Sequence, residues 1–197
     1  MKKFIAFVLY VVMWFGPFWY RLRYRRIKTI NNPELGTQLS LVKLEEKIDK
    51  LLTGFSYKHD GMKELMDAIV PPDYAYYHLM NDTLYDDCDG FHAGVYELVR
   101  RSGYHACLVT TLNDNVMSNH VMVLFQNKQT IYLVNYSNVI KLFSLNTGMS
   151  ISKKEFNSKL IKACTEACGS PSRFRFGLVF TKNRWYKRVN LYNFFNN

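Results

Sequence analysis

The sequence predicts an α+β fold, and three observations carry that reading. Helical signals dominate the first half of the chain. Strand-like apolar runs joined by short polar segments follow from residue 106, and a further helical stretch returns near residue 152. The 197 residues, 48% hydrophobic and 21% charged, suffice for one domain with a sizeable core and exclude a largely disordered chain. No internal repeat or low-complexity tract interrupts the pattern.

The chain opens with Met1-Lys2-Lys3, followed by 17 uncharged residues from Phe4 to Tyr20 and then a basic run through Lys28. As a helix the uncharged stretch measures about 25 Å, the short end for a hydrocarbon core of ~30 Å. Trp14, Trp19 and Tyr20 stand at its distal end, where amphipathic rings favour the interface, and Gly16-Pro17 allows a kinked or interfacial course. No small-x-small cleavage site follows, so a cleavable signal peptide fits less well. Seven of the 26 basic residues and none of the 16 acidic ones lie within residues 1–30, so the other 167 residues carry only +3 of the net +10. That distribution is a membrane flank rather than a nucleic-acid footprint, and no specific nucleic-acid partner is expected. The reading is therefore a hydrophobic helix anchoring the protein to a membrane, with the main domain cytoplasmic by the positive-inside rule. Burial of the same segment in a protein assembly is the alternative.

Residues 1–30 are thus assigned to the anchor with its basic flank, 31–58 to a linker and amphipathic helix, and 59–197 to the main domain. Asn31-Asn32-Pro33-Glu34 marks the first boundary. Ser40 caps a helix through Leu52, with Leu41, Leu44, Ile48, Leu51 and Leu52 on one stripe. A short helix is expected from Asp60 to Ile69, stopped by Pro71-Pro72. Asp87 caps a third helix from Cys88 to Ser102, and Gly103 takes the position just past its end. Strands are expected at Ala106–Leu112, His120–Phe125, Ile131–Tyr136 and Val139–Phe143, then a helix from Ser152 to Cys168 and a strand at Arg175–Thr181. The last basic and aromatic run, Lys182 to Arg188, reads as a solvated tail or one resting on anionic lipid.

The four cysteines, Cys88, Cys107, Cys164 and Cys168, fit no zinc spacing, and neither metal nor cofactor is called for. Cys107 sits in an apolar strand, and Cys164 and Cys168 are four apart on a helix, as core residues are. Cys88 differs. It occupies the first turn of a capped helix, where unsatisfied N–H groups and the helix dipole favour a thiolate. Its neighbours Asp86, Asp87 and Asp89 oppose that charge. On local sequence it is either a nucleophile or a buried structural thiol. Among the histidines, His59, His78 and His105 read as surface residues. His92, one turn after Cys88, is a partner or a packing residue.

His120 opens the strand HVMVLF, and register decides its meaning. If Asn127-Lys128 forms a two-residue hairpin turn, opposed residues sum to 255 and His120 faces Asn135. Asn135 would then accept a ring N–H and present the other nitrogen outward, with Asn138 as the fallback. A cysteine at a helix start with such a pair makes a nucleophile, a base and an orienting group. The backbone N–H of Cys88 is a natural oxyanion donor, and Tyr85 or Asn81 could add a side-chain donor.

In this order Cys88, His120 and Asn135 resemble the transglutaminase-like superfamily, which includes bacterial thiol peptidases of papain-like architecture. The resemblance rests on Ala93, Leu98, Arg100 or Arg101 and Gly103 after the nucleophile, then the strand with Cys107 to Thr110. It continues through His120-Val121-Met122-Val123 and through Asn135 with Ser137. It covers about Leu84 to Ser137, with Asn135 where the family usually has Asp and with acidic Asp87 before the nucleophile. The resemblance implies a papain-like or transglutaminase-like core whose nucleophile-bearing helix packs on an antiparallel sheet. It also implies a thiol enzyme that cleaves or transfers amide bonds in a polypeptide or peptidoglycan-peptide substrate. Two other readings stand beside it: a catalytically silent scaffold in a viral particle or membrane assembly, and acyl transfer from coenzyme A.

Overall fold

A computed structural model describes residues 38–57, 70–112, 120–145, 151–168, 173–181 and 186–196. The expected anchor, the 31–34 turn, the helix from Asp60 to Ile69 and His59 lie outside the described residues. Among those described, no helix is long and apolar enough to cross a membrane.

Helix α1 (Leu41–Thr53) begins at Ser40, whose hydroxyl accepts the Lys43 N–H and satisfies one of the orphan donors of the first turn. Its stripe buries Leu44, Ile48 and Leu51 in one core with residues of the helices Pro72–Met80 and Cys88–Arg101. Strand β1 (Ser56–Tyr57) follows.

Helix α2 (Pro72–Met80) corrects the expectation that Pro71-Pro72 only stops a helix. Proline is well suited to the first helical position, because its missing N–H would have had no partner there. Helix α2 lies tightly on α3 (Cys88–Arg101) at Gly94. A Cβ at Gly94 would stand 2.3 Å from Leu79 Cδ1 and 3.2 Å from backbone atoms of Ala75 and Tyr76. Strand β2 (Tyr85–Asp86) pairs in parallel with β1 and leads directly into α3. Helix α3 ends as expected, with Arg100 and Arg101 in its last turn and Gly103 at φ +82°.

The remaining strands are β3 (His105–Leu112), β4 (Val121–Asn127), β5 (Thr130–Asn135), β6 (Asn138–Ser144), β7 (Arg173–Phe180) and β8 (Tyr186–Val189). They form a six-stranded sheet in the order β6-β5-β4-β3-β7-β8, every neighbour antiparallel. The fold is therefore α+β with an antiparallel sheet. Alternation along β4 sends Val121, Val123 and Phe125 into the core shared with α1 to α3. Met122 and Leu124 go into a second core beneath α4 (Lys153–Cys168) and α5 (Leu191–Asn196). The side chains of Cys164 and Cys168 lie outside the described ones.

Two expectations about the strands need correction. The β4–β5 turn is Lys128-Gln129, with Asn127 opposite Thr130, not Asn127-Lys128. Lys128 supplies the left-handed residue of the turn at φ 53°. Opposed residues therefore sum to two more than expected, Val123 facing Val134. A shift of two preserves every side chain's face, where a shift of one would have reversed it. The basic C-terminal run is not simply a tail: Tyr186 to Val189 is an edge strand, and the Tyr186 hydroxyl donates to the Val70 carbonyl at 2.8 Å.

Candidate active site

The start of α3 is held by its own carboxylates. Asp87, at the N-cap, accepts the Asp89 N–H at 3.0 Å, and Asp86 accepts the Asp87 N–H at 3.0 Å. Gly90 makes room for this arrangement, since a Cβ there would lie 2.2 Å from Asp86 Oδ2. Ligand-type oxygens of Asp86, Asp87 and Asp89 gather within 4.8 Å of one another. Cys88 is the first residue of the helix, half-buried and not in a disulfide. Helix dipole and nearby carboxylates act in opposite directions on a thiol at this position.

A paired histidine stands at the end of the sheet. His120 directly precedes β4, and Asn135 ends β5. His120 Nε2 donates to Asn135 Oδ1 at 2.8 Å, so Nδ1 carries the lone pair. With the corrected register the two residues are diagonal rather than directly opposed, a separation that a long side chain still bridges. Burial holds His120 below the ordinary histidine pKa, outweighing the Asn135 hydrogen bond and the Asp87 charge, which both raise it. The imidazole is therefore neutral, and basic, at neutral pH.

His92 joins the two halves. It is fully buried on α3, one turn after Cys88. Its Nδ1 donates to the Cys88 carbonyl at 2.6 Å, and its Nε2 accepts the Tyr136 N–H at 3.1 Å. Its ring stands edge-on to His120 with centroids 5.1 Å apart. Burial, and then the neighbouring His120, depress its pKa to about 3. Tyr136 occupies the β5–β6 turn at φ 51°, a left-handed conformation that costs a non-glycine residue on the order of 1 kcal/mol. Its ring lies 5.3 Å from that of His120 and 5.7 Å from that of Phe91. Burial, with smaller contributions from Cys88, Tyr57 and Asp87, pushes its hydroxyl up to about 12.

Comparison with protein-family models, curated proteins and solved structures found no match to this chain. The site therefore stands on its own geometry.

His120 and Asn135 meet at one end of the sheet, and His92 links them to the Cys88 turn, bonding the Cys88 carbonyl and standing edge-on to His120. Tyr85 lies on β2, three residues before Cys88, and is 66% exposed, so it stands at the rim. Asn81 does not join it: its amide donates to the Tyr77 carbonyl at 2.7 Å and caps α2. Asn138 is exposed and pairs with Asn135 across the Tyr136-Ser137 turn. His105 donates to the Phe194 carbonyl and stacks on that ring at 3.8 Å, while His78 Nδ1 bonds Thr83 Oγ1 at 2.8 Å. Cys107 is fully buried, and burial drives its thiol far up, as the apolar strand pattern predicts. No motif or periodicity singles out Tyr136. Only the asparagines flanking Tyr136-Ser137 hint at a tight turn there.

Proposed function

We propose that the chain is a membrane-tethered thiol enzyme acting on amide bonds, with Cys88 as nucleophile, His120 as base and Asn135 as the group that orients His120. The observation that carries this reading is the 2.8 Å His120–Asn135 hydrogen bond. It fixes the imidazole tautomer beside the helix that begins at Cys88. The transglutaminase-like pattern of the sequence supports the same assignment, as does the hydrophobic and basic segment 1–30 for the tether.

In this mechanism Cys88 Sγ attacks the amide carbonyl carbon as its proton passes to His120 Nδ1. The backbone N–H of Cys88 donates to the developing oxyanion. Collapse of the intermediate breaks the C–N bond, and the imidazolium gives its proton to the leaving amine. The thioester that remains is resolved by water, releasing a carboxylic acid, or by a second amine, forming a new amide. Asn135 transfers no proton at any step; it holds the tautomer and orientation that make Nδ1 the base.

The acidic turn around Cys88 favours a second reading, in which the fold serves as a scaffold and the thiol is idle. Substitution separates the two. Cys88→Ala should abolish reaction with a chloroacetamide probe, read by intact mass, with little loss of stability. Asn135→Asp should retain the reaction and Asn135→Ala should weaken it less than Cys88→Ala does. Equal labelling of wild type and Cys88→Ala would leave only the scaffold.

A further inference from the structure

Among the described residues, the mechanism above leaves unused a fully buried histidine on the nucleophile's own helix, His92. We infer that His92 is a positioning residue of the thiol site, an imidazole protonated on Nδ1 that clamps the Cys88 carbonyl to the Tyr136 amide and so sets the nucleophile's turn against the His120–Asn135 pair. The inference rests on the thiol-enzyme reading and deepens it.

Its basis is the hydrogen-bond geometry. A carbonyl oxygen accepts at Nδ1, at 2.6 Å, so Nδ1 must carry a proton. A backbone N–H points at Nε2, at 3.1 Å, so Nε2 must not. Only one of the three protonation states of imidazole satisfies both partners. An imidazolium would set its Nε2–H against the Tyr136 N–H, two donors facing each other in a buried place. The groups facing His92 reinforce this. Phe91 and His120 lie edge-on at 5.2 Å and 5.1 Å, and the Tyr136 ring lies tilted at 5.2 Å. The titratable groups facing His92 from the sheet end are therefore an imidazole and a phenol, neither of them an anion that would favour an imidazolium.

The consequence for the site is positional. Cys88 sits on a helix and Asn135 on a strand, and nothing in either element fixes their separation at the scale a proton transfer needs. His92 spans them directly. It reaches the carbonyl of the nucleophile's own residue at one end and the residue after Asn135 at the other. Tyr136 opens the two-residue β5–β6 turn, and its φ of 51° is the left-handed conformation that such a turn requires.

Two measurements test the inference. In protein labelled with nitrogen-15 at histidine, long-range proton–nitrogen correlation should show His92 as the Nδ1–H tautomer, unprotonated throughout pH 5 to 8. An Nε2–H tautomer, or an imidazolium at pH 6, would overturn the clamp whatever the activity of the thiol. The second measurement is iodoacetamide alkylation of Cys88 against pH in His92→Phe and His92→Gln, each confirmed folded by its amide spectrum. His92→Phe keeps a buried ring without polar atoms. It should slow alkylation at neutral pH by at least ~10-fold and give the profile of an isolated thiol, as a misplaced reacting pair does. His92→Gln returns an acceptor to the Tyr136 N–H and should stay within about fivefold of wild type, the equivalent of one ordinary hydrogen bond. A folded His92→Phe with the wild-type profile would overturn the positioning role. If wild-type Cys88 itself alkylates as an ordinary thiol, the enzyme reading fails and the positioning role falls with it. The tautomer measurement still decides whether the clamp exists.

Discussion

On the side of the sheet covered by α4 and α5, the core consists of Cys107, Val109, Met122, Leu124, Ile131, Leu133, Phe156 and their apolar neighbours. On the other side, Asp86, Asp89, His92, Glu97 and Ser102, the buried polar residues among those described, all fall between β2 and the end of α3. Buried polar groups cost free energy unless each finds a partner, and α3 supplies partners at several of them. Glu97 receives Arg100 at 2.8 Å and Arg101 at 2.7 Å, Ser102 donates to the Leu98 carbonyl, and His92 is bonded at both nitrogens. The two cysteines divide in the same way. Cys107 is buried in the apolar layer with its thiol pushed far up, whereas Cys88 is half-buried at the start of α3, its carbonyl bonded to His92. One layer is organised for stability and the other for holding polar groups in fixed places.

The largest expected effect that sharpens this contrast comes from the apolar layer. Phe156 is fully buried and meets Phe143 and Tyr192 edge-on. Phe156→Ala should lower the unfolding free energy by about 3–5 kcal/mol in urea titrations. Cys88 alkylation under native conditions should not change. A shift in Cys88 reactivity as large as the loss of stability would break the separation of the layers.

The polar layer should carry a pH dependence that the apolar layer lacks. The folded-state pKa of His92 is depressed to about 3, against an ordinary value of 6.5. Between those values the unfolded chain binds the proton and the folded one does not, so this contribution is fully present above pH 6.5 and is lost as pH falls towards 3. The slope within the window approaches ~1.4 kcal/mol per pH unit. Urea midpoints measured from pH 7 to pH 4 should fall steeply in wild type and more gently in His92→Phe. Parallel curves would show that His92 is not the group responsible.

The smallest expected effect compares two turns. Lys128 and Tyr136 both have left-handed φ, 53° and 51°. Lys128 is exposed, so Lys128→Gly should stabilise by about 0.5–1 kcal/mol through relief of that conformation. Tyr136→Gly gains the same relief but loses a ring packed on His92, His120 and Phe91, and should be destabilising overall. Equal gains in thermal midpoint from both substitutions would remove Tyr136 from the site's architecture.

Much of the polar layer could be read locally. Asp87 as cap, Cys88 as first helical residue and Gly103 past the end each follow from short-range backbone rules, and the structure agrees with all three. The pairing of His120 with Asn135 is legible by parity alone: the observed turn lies one residue later than Asn127-Lys128, which moves the register by two and leaves the faces intact. What could not be read depends on the third dimension. Helix α2 begins at Pro72, and a proline pair reads equally well as the end of one helix or the start of the next. Strand β8 and α5 are held by pairing with β7 and by burial of Leu191 and Phe195, which a basic, aromatic sequence does not announce. The bond from Tyr136 to His92 crosses 44 residues, and Tyr136 takes a left-handed turn conformation that a tyrosine rarely adopts.

The central claim is that Cys88 is a nucleophile served by His120, and site-resolved alkylation tests it most directly. Iodoacetamide labelling of Cys88 and Cys107 would be followed by mass spectrometry from pH 5 to 9 in wild type and His120→Ala. The account predicts that Cys88 labels faster than a simple thiol near neutral pH, that Cys107 labels slowly throughout, and that His120→Ala removes the advantage of Cys88. A Cys88 that labels no faster than a simple thiol, with a profile that His120→Ala leaves unchanged, would contradict the account and leave the scaffold reading in its place.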